Sequence, residues 1–533
     1  MVEVLLDRVD GQEVAVVESN CIPEPPAECT PTERTSAEKP INEKLSPIQE
    51  FYYGQSIFIT GGTGFMGKLL IEKILRTCPG VVSIYLLVRP KKGKDVHQRT
   101  EEIFDDPLFV KLKDEQPKFR HQIVAVAGDC SQPSLGMSSQ DRATIIREVS
   151  IVFHVAATVR FDEKLKLAVP INVRSTRDIL NLCKEIANLK VCLNILPNNF
   201  KSTCEMHLSY LSNYFTKRLH IYCRNLPPQR SNIANSLRNV SAALLWDCRN
   251  VKMSAFRNIA TKLISTYREP LRGWIDNMYG PTGVAAGAGT GLLRSIHCDG
   301  SVHANVVPAD LTVNALIATA WDVADIRRVN NKSHGDIPIY NYVSKDNPIT
   351  YDELKEMSSK YGLDIPSTRA VWYYSFRNNK HRIVHLFFVY FWHLFPALLV
   401  DTATVCMGKQ PRLLKVYKKI HKFMDVLNYF ATQEWMFTND RLHALLAKLT
   451  FKDRQHFYCD VRDVDWNVYF ETYILGIRLY LIKDPLDTLH QARVKWQRLY
   501  WCHQALKIIL AYIAIKLSWS TISTLFSFFS LEL

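Results

Sequence analysis

The chain has 533 residues, enough for about three domains with ample core. Its 13 cysteines show no CxxC or zinc-type spacing, which excludes a disulfide scaffold or a cysteine metal site and suits a reducing compartment. The net charge of +14 comes without an aromatic-basic recognition motif, so no nucleic acid is expected; an anionic membrane face or polyanionic nucleotides are simpler partners.

Taken in chain order, Met1 to Val17 carries Glu3, Asp7, Asp10 and Glu13, which argues against a secretory signal. Residues 18–48 are rich in Pro, Glu, Ser and Thr, so residues 1–49 are expected to form a disordered leader. The apolar run Ser56 to Ile59 then leads into Thr60-Gly61-Gly62-Thr63-Gly64-Phe65-Met66-Gly67, followed by the amphipathic stretch Lys68 to Arg76. A strand, a glycine turn and a helix in that order make a dinucleotide cradle. Gly61 permits a turn that a Cβ would block, Gly64 lets the backbone approach a pyrophosphate, and Gly67 lets the helix pack closely on its strand. The amides from Thr63 to Met66, at the helix N-terminus, face the phosphates.

The next strand, Val82 to Val88, ends in Arg89-Pro90-Lys91-Lys92. An acid there would bind a ribose 2′-hydroxyl, whereas a cation accommodates a 2′-phosphate, so NADPH is favoured over NADH and Arg89 is the phosphate ligand. Gln122 to Ala127 ends in Gly128-Asp129, where the carboxylate either accepts from the adenine amino group or caps a helix. Ser150 to Val155 ends in Ala156-Ala157, and the small residues after Val155 let the chain pass under the nicotinamide ribose. Helical stretches between these strands argue for βαβ crossovers and a parallel sheet.

Two stretches speak for membrane lipid as a partner. Ile383 to Val400 is 18 residues without Asp, Glu, Lys or Arg, or ~27 Å of helix. That length is borderline for a span, and its two His and Pro396 make a buried or interfacial hairpin an equal alternative. Ile508 to Phe529 is rich in Ile, Leu, Phe and Trp but has Lys516 in its middle, which reads as a tail anchor or an interfacial helix.

Further segments carry a resemblance. Trp274-Ile-Asp-Asn-Met-Tyr-Gly-Pro-Thr-Gly283 is followed by Gly287-Ala-Gly289-Thr-Gly291 and Asn305-Val-Val-Pro-Ala-Asp310. Tyr340-Asn-Tyr-Val-Ser344, Asn347-Pro-Ile-Thr350, Leu413-Leu-Lys-Val-Tyr417, Phe437-Thr-Asn439 and Cys459-Asp460-Val-Arg-Asp-Val-Asp465-Trp466 continue the series. With the glycine turn and Val155-Ala-Ala-Thr158, these resemble the fatty acyl-CoA reductases, particularly the insect type, over roughly residues 50–190 and 264–520. A sterol or nucleotide-sugar short-chain dehydrogenase shares the glycine turn but not the Cys459 to Trp466 segment or the apolar stretches.

The resemblance implies an extended short-chain-dehydrogenase core that binds NADPH and reduces a long-chain acyl-CoA to a primary alcohol. A first hydride gives a hemithioacetal that expels CoA, and a second reduces the aldehyde. It also implies a Tyr proton donor, a Lys four residues on that lowers its pKa, and a Ser or Thr that binds the carbonyl oxygen. A membrane face toward the cytosol, on endoplasmic reticulum or peroxisome, fits such a substrate.

Residues 191–263, where those groups belong, form an atypical window. From Val191 to Leu263 ten Lys or Arg face two acids, with ten Asn and no Gly, and neither glycine-bearing loops nor clear apolar strands are apparent. Tyr214-Phe-Thr-Lys217 has the right residue types one position too close, which swings the Lys by ~100° around a helix. Three readings follow: a wrong frame or exon in an otherwise intact reductase, a catalytically impaired pseudoenzyme that binds NADP or lipid, or a rearranged catalytic pair built on Tyr214 and Lys217. The expected architecture is α/β. A Rossmann-like parallel sheet core spans 50–330, a mainly helical C-terminal domain spans 350–500, and a membrane-associating tail spans 508–529.

Overall fold

The computed structural model describes residues 3–9, 12–18, 44–91, 93–158, 163–196, 253–257, 262–330 and 338–529. The chain forms two compact units, and each is built from separated segments. The first holds residues up to Ile275, His303–Ile349 and Glu434–Tyr473; the second holds Asp276–Val302, Thr350–Gln433 and the chain from Ile474 onward. The division is interleaved along the chain. The cause is long-range bonding that no local pattern announces: the Tyr469 hydroxyl bonds the Ser265 carbonyl at 3.1 Å, Tyr342 donates to the Cys459 carbonyl at 2.9 Å, and Asp453 accepts from the Ile48 amide at 3.2 Å.

Within the expected leader, Glu3–Val9 (β1) and Gln12–Glu18 (β2) pair antiparallel, and a capped helix, Pro47–Tyr52, opens the first unit. The short apolar runs Val4 to Leu6 in β1 and Val14 to Val17 in β2 set these strands apart from the polar bias of residues 18–48.

Seven strands then build one parallel sheet: Ser56–Thr60 (β3), Ser83–Val88 (β4), Ile123–Ala127 (β5), Ile151–His154 (β6), Val191–Leu196 (β7), Met253–Arg257 (β8) and, after two short strands Lys262–Ile264 (β9) and Val306–Pro308 (β11), Ile339–Asn341 (β12). The spatial order is β12-β8-β7-β6-β3-β4-β5. In chain order of the sheet this is 7-6-5-4-1-2-3, the doubly wound Rossmann arrangement with its switch point between β3 and β6. Strands β3, β4 and β6 are buried on both faces, which is why they read as continuous apolar runs rather than alternating ones. Phe58, Tyr85, Leu87 and Val152 pack with Ile145 of helix Ser139–Glu148 and with Ile179 and Leu182 of helix Ser175–Glu185 in one buried cluster. Helices Phe65–Thr77 and Ala309–Asn330 pack together in the same unit.

Strands β7 and β8 lie in the window, where the sequence shows no clear apolar strands. Val191-Cys-Leu-Asn-Ile-Leu196 pairs in parallel with β6 through Val191–Ile151 and with β8 through Cys192–Met253. A short apolar run of this kind disappears when composition is averaged over a long basic stretch.

The second unit carries a two-stranded parallel pair, Ser295–His297 (β10) with Arg377–Asn379 (β13), and is otherwise helical. Its core gathers Leu293, Ile296 and Cys298 with Met424, Leu427 and Ala431 of helix Leu413–Ala431. Among the described residues two helices are long and apolar enough to cross a membrane, in Arg382–Cys406 and Leu486–Ser523.

A buried ionic cluster ties helix Phe65–Thr77 to the loop after β9. Glu269 pairs with Lys73 and with Arg76 (2.9 Å), Arg76 also pairs with Glu72 (2.6 Å), and Asn314 donates to Glu269 at 2.9 Å. Burial opposes ionisation of Glu269, but Lys73 and Arg76 outweigh it and hold the carboxyl at about 2. Removing Glu269 leaves the buried Lys73 ammonium without this carboxylate, while Arg76 keeps only Glu72. Glu269→Ala is therefore expected to destabilise the protein by about 3 kcal/mol, read as a lower denaturant midpoint; an unchanged midpoint would show that the cluster does not hold this loop.

Candidate functional site

The site sits where β3 and β6 end side by side at the switch point. Gly61 has φ +78°, a left-handed conformation, and a Cβ there would lie 2.7 Å from the Ala156 amide nitrogen. At Gly67 a Cβ would lie 2.2 Å from the Gly61 carbonyl oxygen and 2.7 Å from Gly62 Cα. Both positions demand glycine for space, and together they let the first turn of helix Phe65–Thr77 close onto the strand end. Gly64 is less confined: an added Cβ meets only the Gly61 oxygen, at 3.3 Å, so its lack of a side chain leaves the approach to the turn open.

No side chain caps helix Phe65–Thr77 at Gly64. Helices Pro47–Tyr52, Val96–Phe104 and Tyr351–Asp364 each carry a complete capping box, from Ser46, Asp95 and Thr350. The first-turn amides of the glycine-turn helix are thus left to an anion, with Thr63, Gly64, Phe65 and Met66 around them. A dinucleotide pyrophosphate fits this donor set.

A relay of hydrogen bonds fixes the two strand ends. The Ala156 amide donates to Thr60 Oγ1 (3.3 Å), and Thr60 Oγ1 lies 2.6 Å from His154 Nδ1. On the other side His154 Nε2 lies 3.2 Å from Ser175 Oγ, whose own proton goes to the Ile171 carbonyl. With Ser175 spent as a donor, His154 must carry its proton on Nε2 and accept from Thr60 at Nδ1, a tautomer assigned from the network. Asn172 extends the clamp by pairing both ways with the Thr158 backbone, at 2.8 and 3.0 Å. Thr60, Val155 and Ala156 therefore lie together as the sequence implied. His154, Asn172 and Ser175 did not stand out, because one His in an apolar strand reads as core, its partner Ser175 is 21 residues away, and Asn172 is 14 residues from the Thr158 backbone it holds.

Arg89 and Asp129 meet at 3.8 Å where β4 and β5 finish, and Arg89 remains 64% exposed. Asp129 also accepts from the Ser131 amide at 2.8 Å, so the carboxylate caps its own turn. Lys92 lies outside the described residues. Beside the phosphate turn, Phe65 stacks on Trp274 with centroids 5.3 Å apart, and Trp274 Nε1 donates to Asp106 at 2.9 Å. Lys68 closes this clamp with a 2.7 Å ion pair to Asp106. The catalytic candidates Tyr214 and Lys217 lie outside the described residues.

The order of the sheet and the glycine-forced approach at its switch point define a Rossmann-type dinucleotide-binding protein. An NAD-binding model of the family described as male sterility protein matches residues 59–209 and 249–316, and a second model of that description matches 392–484. The chain is 41% identical over 472 residues to fatty acyl-CoA reductase wat of Drosophila melanogaster, covering 86% of this chain and 90% of that protein. It is 32% identical over 474 residues to fatty acyl-CoA reductase 1 of Homo sapiens, covering 84% and 88%. The reductase domain of a nonribosomal peptide synthetase from Mycobacterium tuberculosis shares the fold, with a TM-score of 0.50 and 18% identity over 82% of this chain and 96% of that one. The chain belongs to the fatty acyl-CoA reductase family and is an oxidoreductase with a nicotinamide-cofactor domain. The family match breaks between 209 and 249, inside the window marked above.

Two outcomes follow. Gly67→Ala is expected to abolish cofactor binding in a titration followed by fluorescence, because the Gly61 carbonyl cannot move aside; retained affinity would refute the cradle. Burial pushes His154 down to about 4, against an unfolded value of about 6.5. A base depressed in the folded state binds more protons when unfolded, so its stability is intact above about 6.5 and is lost as pH falls toward 4, by up to about 3 kcal/mol. His154→Gln should flatten the stability–pH curve across that window, and parallel curves for the two proteins would contradict it.

Proposed function

We propose that this protein reduces a long-chain fatty acyl-CoA to the primary fatty alcohol with NADPH, releasing CoA, at the cytosolic face of a membrane. The observation that carries the reading is the glycine-forced contact between Gly61 and Ala156 at the switch point, in a chain 41% identical to a fatty acyl-CoA reductase. NADPH, when bound, would supply hydride to the acyl carbon; the turn from Thr63 to Gly67 would hold its pyrophosphate, and Val155 and Ala156 would floor the nicotinamide ribose. Arg89 supports the choice of NADPH: it is exposed, and the strand end it occupies, through Lys91, has no acid of its own.

The tail supports the membrane part. Helix Leu489–Phe529 runs for 41 residues. Ala492, Trp496 and His503 are buried, but from Ile508 to Ser523 the helix is exposed on every side, with Ile508, Tyr512, Ile515 and Trp519 each at least 60% exposed. An unburied helix that is mostly apolar, with Lys516 as its charged group between Ile508 and Phe529, suits a lipid environment.

The test is to incubate the purified full chain with NADPH and a long-chain acyl-CoA, then measure fatty alcohol and free CoA thiol. Formation of both is expected. NADPH binding without either product would establish the catalytically impaired reading and place the defect in the window that holds Tyr214 and Lys217. Arg89→Glu should raise the KM for NADPH about tenfold or more while sparing NADH; equal effects on both cofactors would remove Arg89 from the 2′-phosphate site.

A further inference from the structure

The apolar helix of Arg382–Cys406 differs from the tail in being one-sided. Val389, His393, Ala397 and Asp401 are buried at every fourth position, with His385 half-buried one turn earlier. Four-residue steps drift by about 40° each around an α-helix. The wider π-helical turns of Val389–Leu394 wind that drift back, so the buried stripe stays straight.

Hydrogen bonds fasten the stripe to its own unit. Ser295 Oγ lies 2.8 Å from His385 Nδ1, and the Arg294 amide donates to His393 Nε2 at 2.9 Å. The amides of Arg412, Leu413 and Leu414 donate to the Asp401 carboxylate at 3.1, 3.0 and 2.9 Å. The other face carries Phe387, Phe391, Phe395, Leu398 and Leu399, each more than half exposed. Around it the charge is one-signed: residues 377–431 contain nine Lys or Arg against Asp401 and Asp425, and Asp401 is buried.

We propose that Arg382–Cys406 lies in the plane of an anionic lipid surface, its phenylalanine face sunk at the acyl–headgroup boundary and the basic helix Leu413–Ala431 set against the lipid phosphates. To span the bilayer instead, the helix would carry its docked stripe, strand β10 and Lys415, Lys418 and Lys419 into hydrocarbon, where such groups are strongly disfavoured. A basic cluster beside an apolar face is what an anionic leaflet attracts. The inference rests on the membrane part of the function proposed above and specifies how this helix takes part in it.

Single cysteines at positions 380, 391, 409 and 513 would be introduced in the full chain with Cys406 and Cys502, the exposed cysteines among the described residues, changed to Ser. The protein is reconstituted into sealed vesicles of phosphatidylcholine alone or mixed with phosphatidylserine. In-plane insertion predicts that Lys380→Cys and Lys409→Cys both react with an impermeant maleimide from one side. A fluorophore at Phe391→Cys should be quenched by shallow lipid-borne quenchers, and more strongly with phosphatidylserine present. Changing Lys415, Lys418, Lys419 and Lys422 to Gln should cut that insertion about tenfold or more. Labelling of 380 and 409 from opposite sides would overturn the proposal in favour of a span. Quenching at 391 that ignores phosphatidylserine would also overturn it. So would quenching at Ile513→Cys but not at 391, which means that another protein surface covers this face. No quenching at either position would instead overturn the membrane reading itself.

Discussion

Everything in the first unit answers to one close approach, that of the glycine turn to the end of the neighbouring strand. Backbone atoms of Gly61 and Ala156 come too near for any side chain between them. That approach is possible only because β3 and β6 are neighbours, with Thr60 directly across from His154. The Thr60–His154–Ser175 relay then converts a steric opportunity into a fixed distance. A hydrophobic contact in the same place would tolerate sliding, whereas a chain of donors and acceptors with every proton assigned has one register. The price is a histidine that must stay neutral in the core.

The same logic of over-determination recurs farther from the turn. Helix Phe65–Thr77 buries Glu72 and Lys73 almost completely, and Arg76 nearly so, which no amphipathic pattern would tolerate without partners. Glu269 and Asn314 supply them. Asp310 in turn holds the amides of Tyr267, Arg268 and Glu269 at 2.8 to 3.1 Å, so the loop that brings Glu269 is itself tied to helix Ala309–Asn330. The glycine-turn helix is therefore braced at its far end by charge, and at its near end by Trp274 on Phe65.

The cofactor half of the molecule was legible in sequence because its determinants are local. A strand, a glycine turn and a helix occupy 22 consecutive residues, Ser56 to Thr77, and strands β4, β5 and β6 begin within a residue of where their apolar runs do. Strand β7 was hidden by its surroundings rather than by its own residues, since Val191 to Leu196 is as apolar as β6. The pair of β1 and β2 was lost in a similar way, its short apolar runs being set among Glu3, Asp7, Asp10 and Glu13. His154, Asn172 and Ser175 escaped notice because their meaning lies in who faces whom. The interleaving of the two units has no local signature at all: Asn347 reaching the Val461 and Val464 carbonyls, 114 and 117 residues away, is visible only in three dimensions.

That interleaving bears on how the chain is made. The sheet unit needs Glu434–Tyr473 before its bonds to Ser265, Asn314 and Tyr342 exist. A ribosome delivers Arg382–Cys406, with its row of bare phenylalanines, well before that segment emerges. During synthesis the protein thus passes through an interval in which a sticky helix is present and the larger unit cannot yet close. Early capture of that helix by lipid would remove the most aggregation-prone surface at the moment of greatest exposure. The membrane attachment proposed above would then be an event in folding as well as an address.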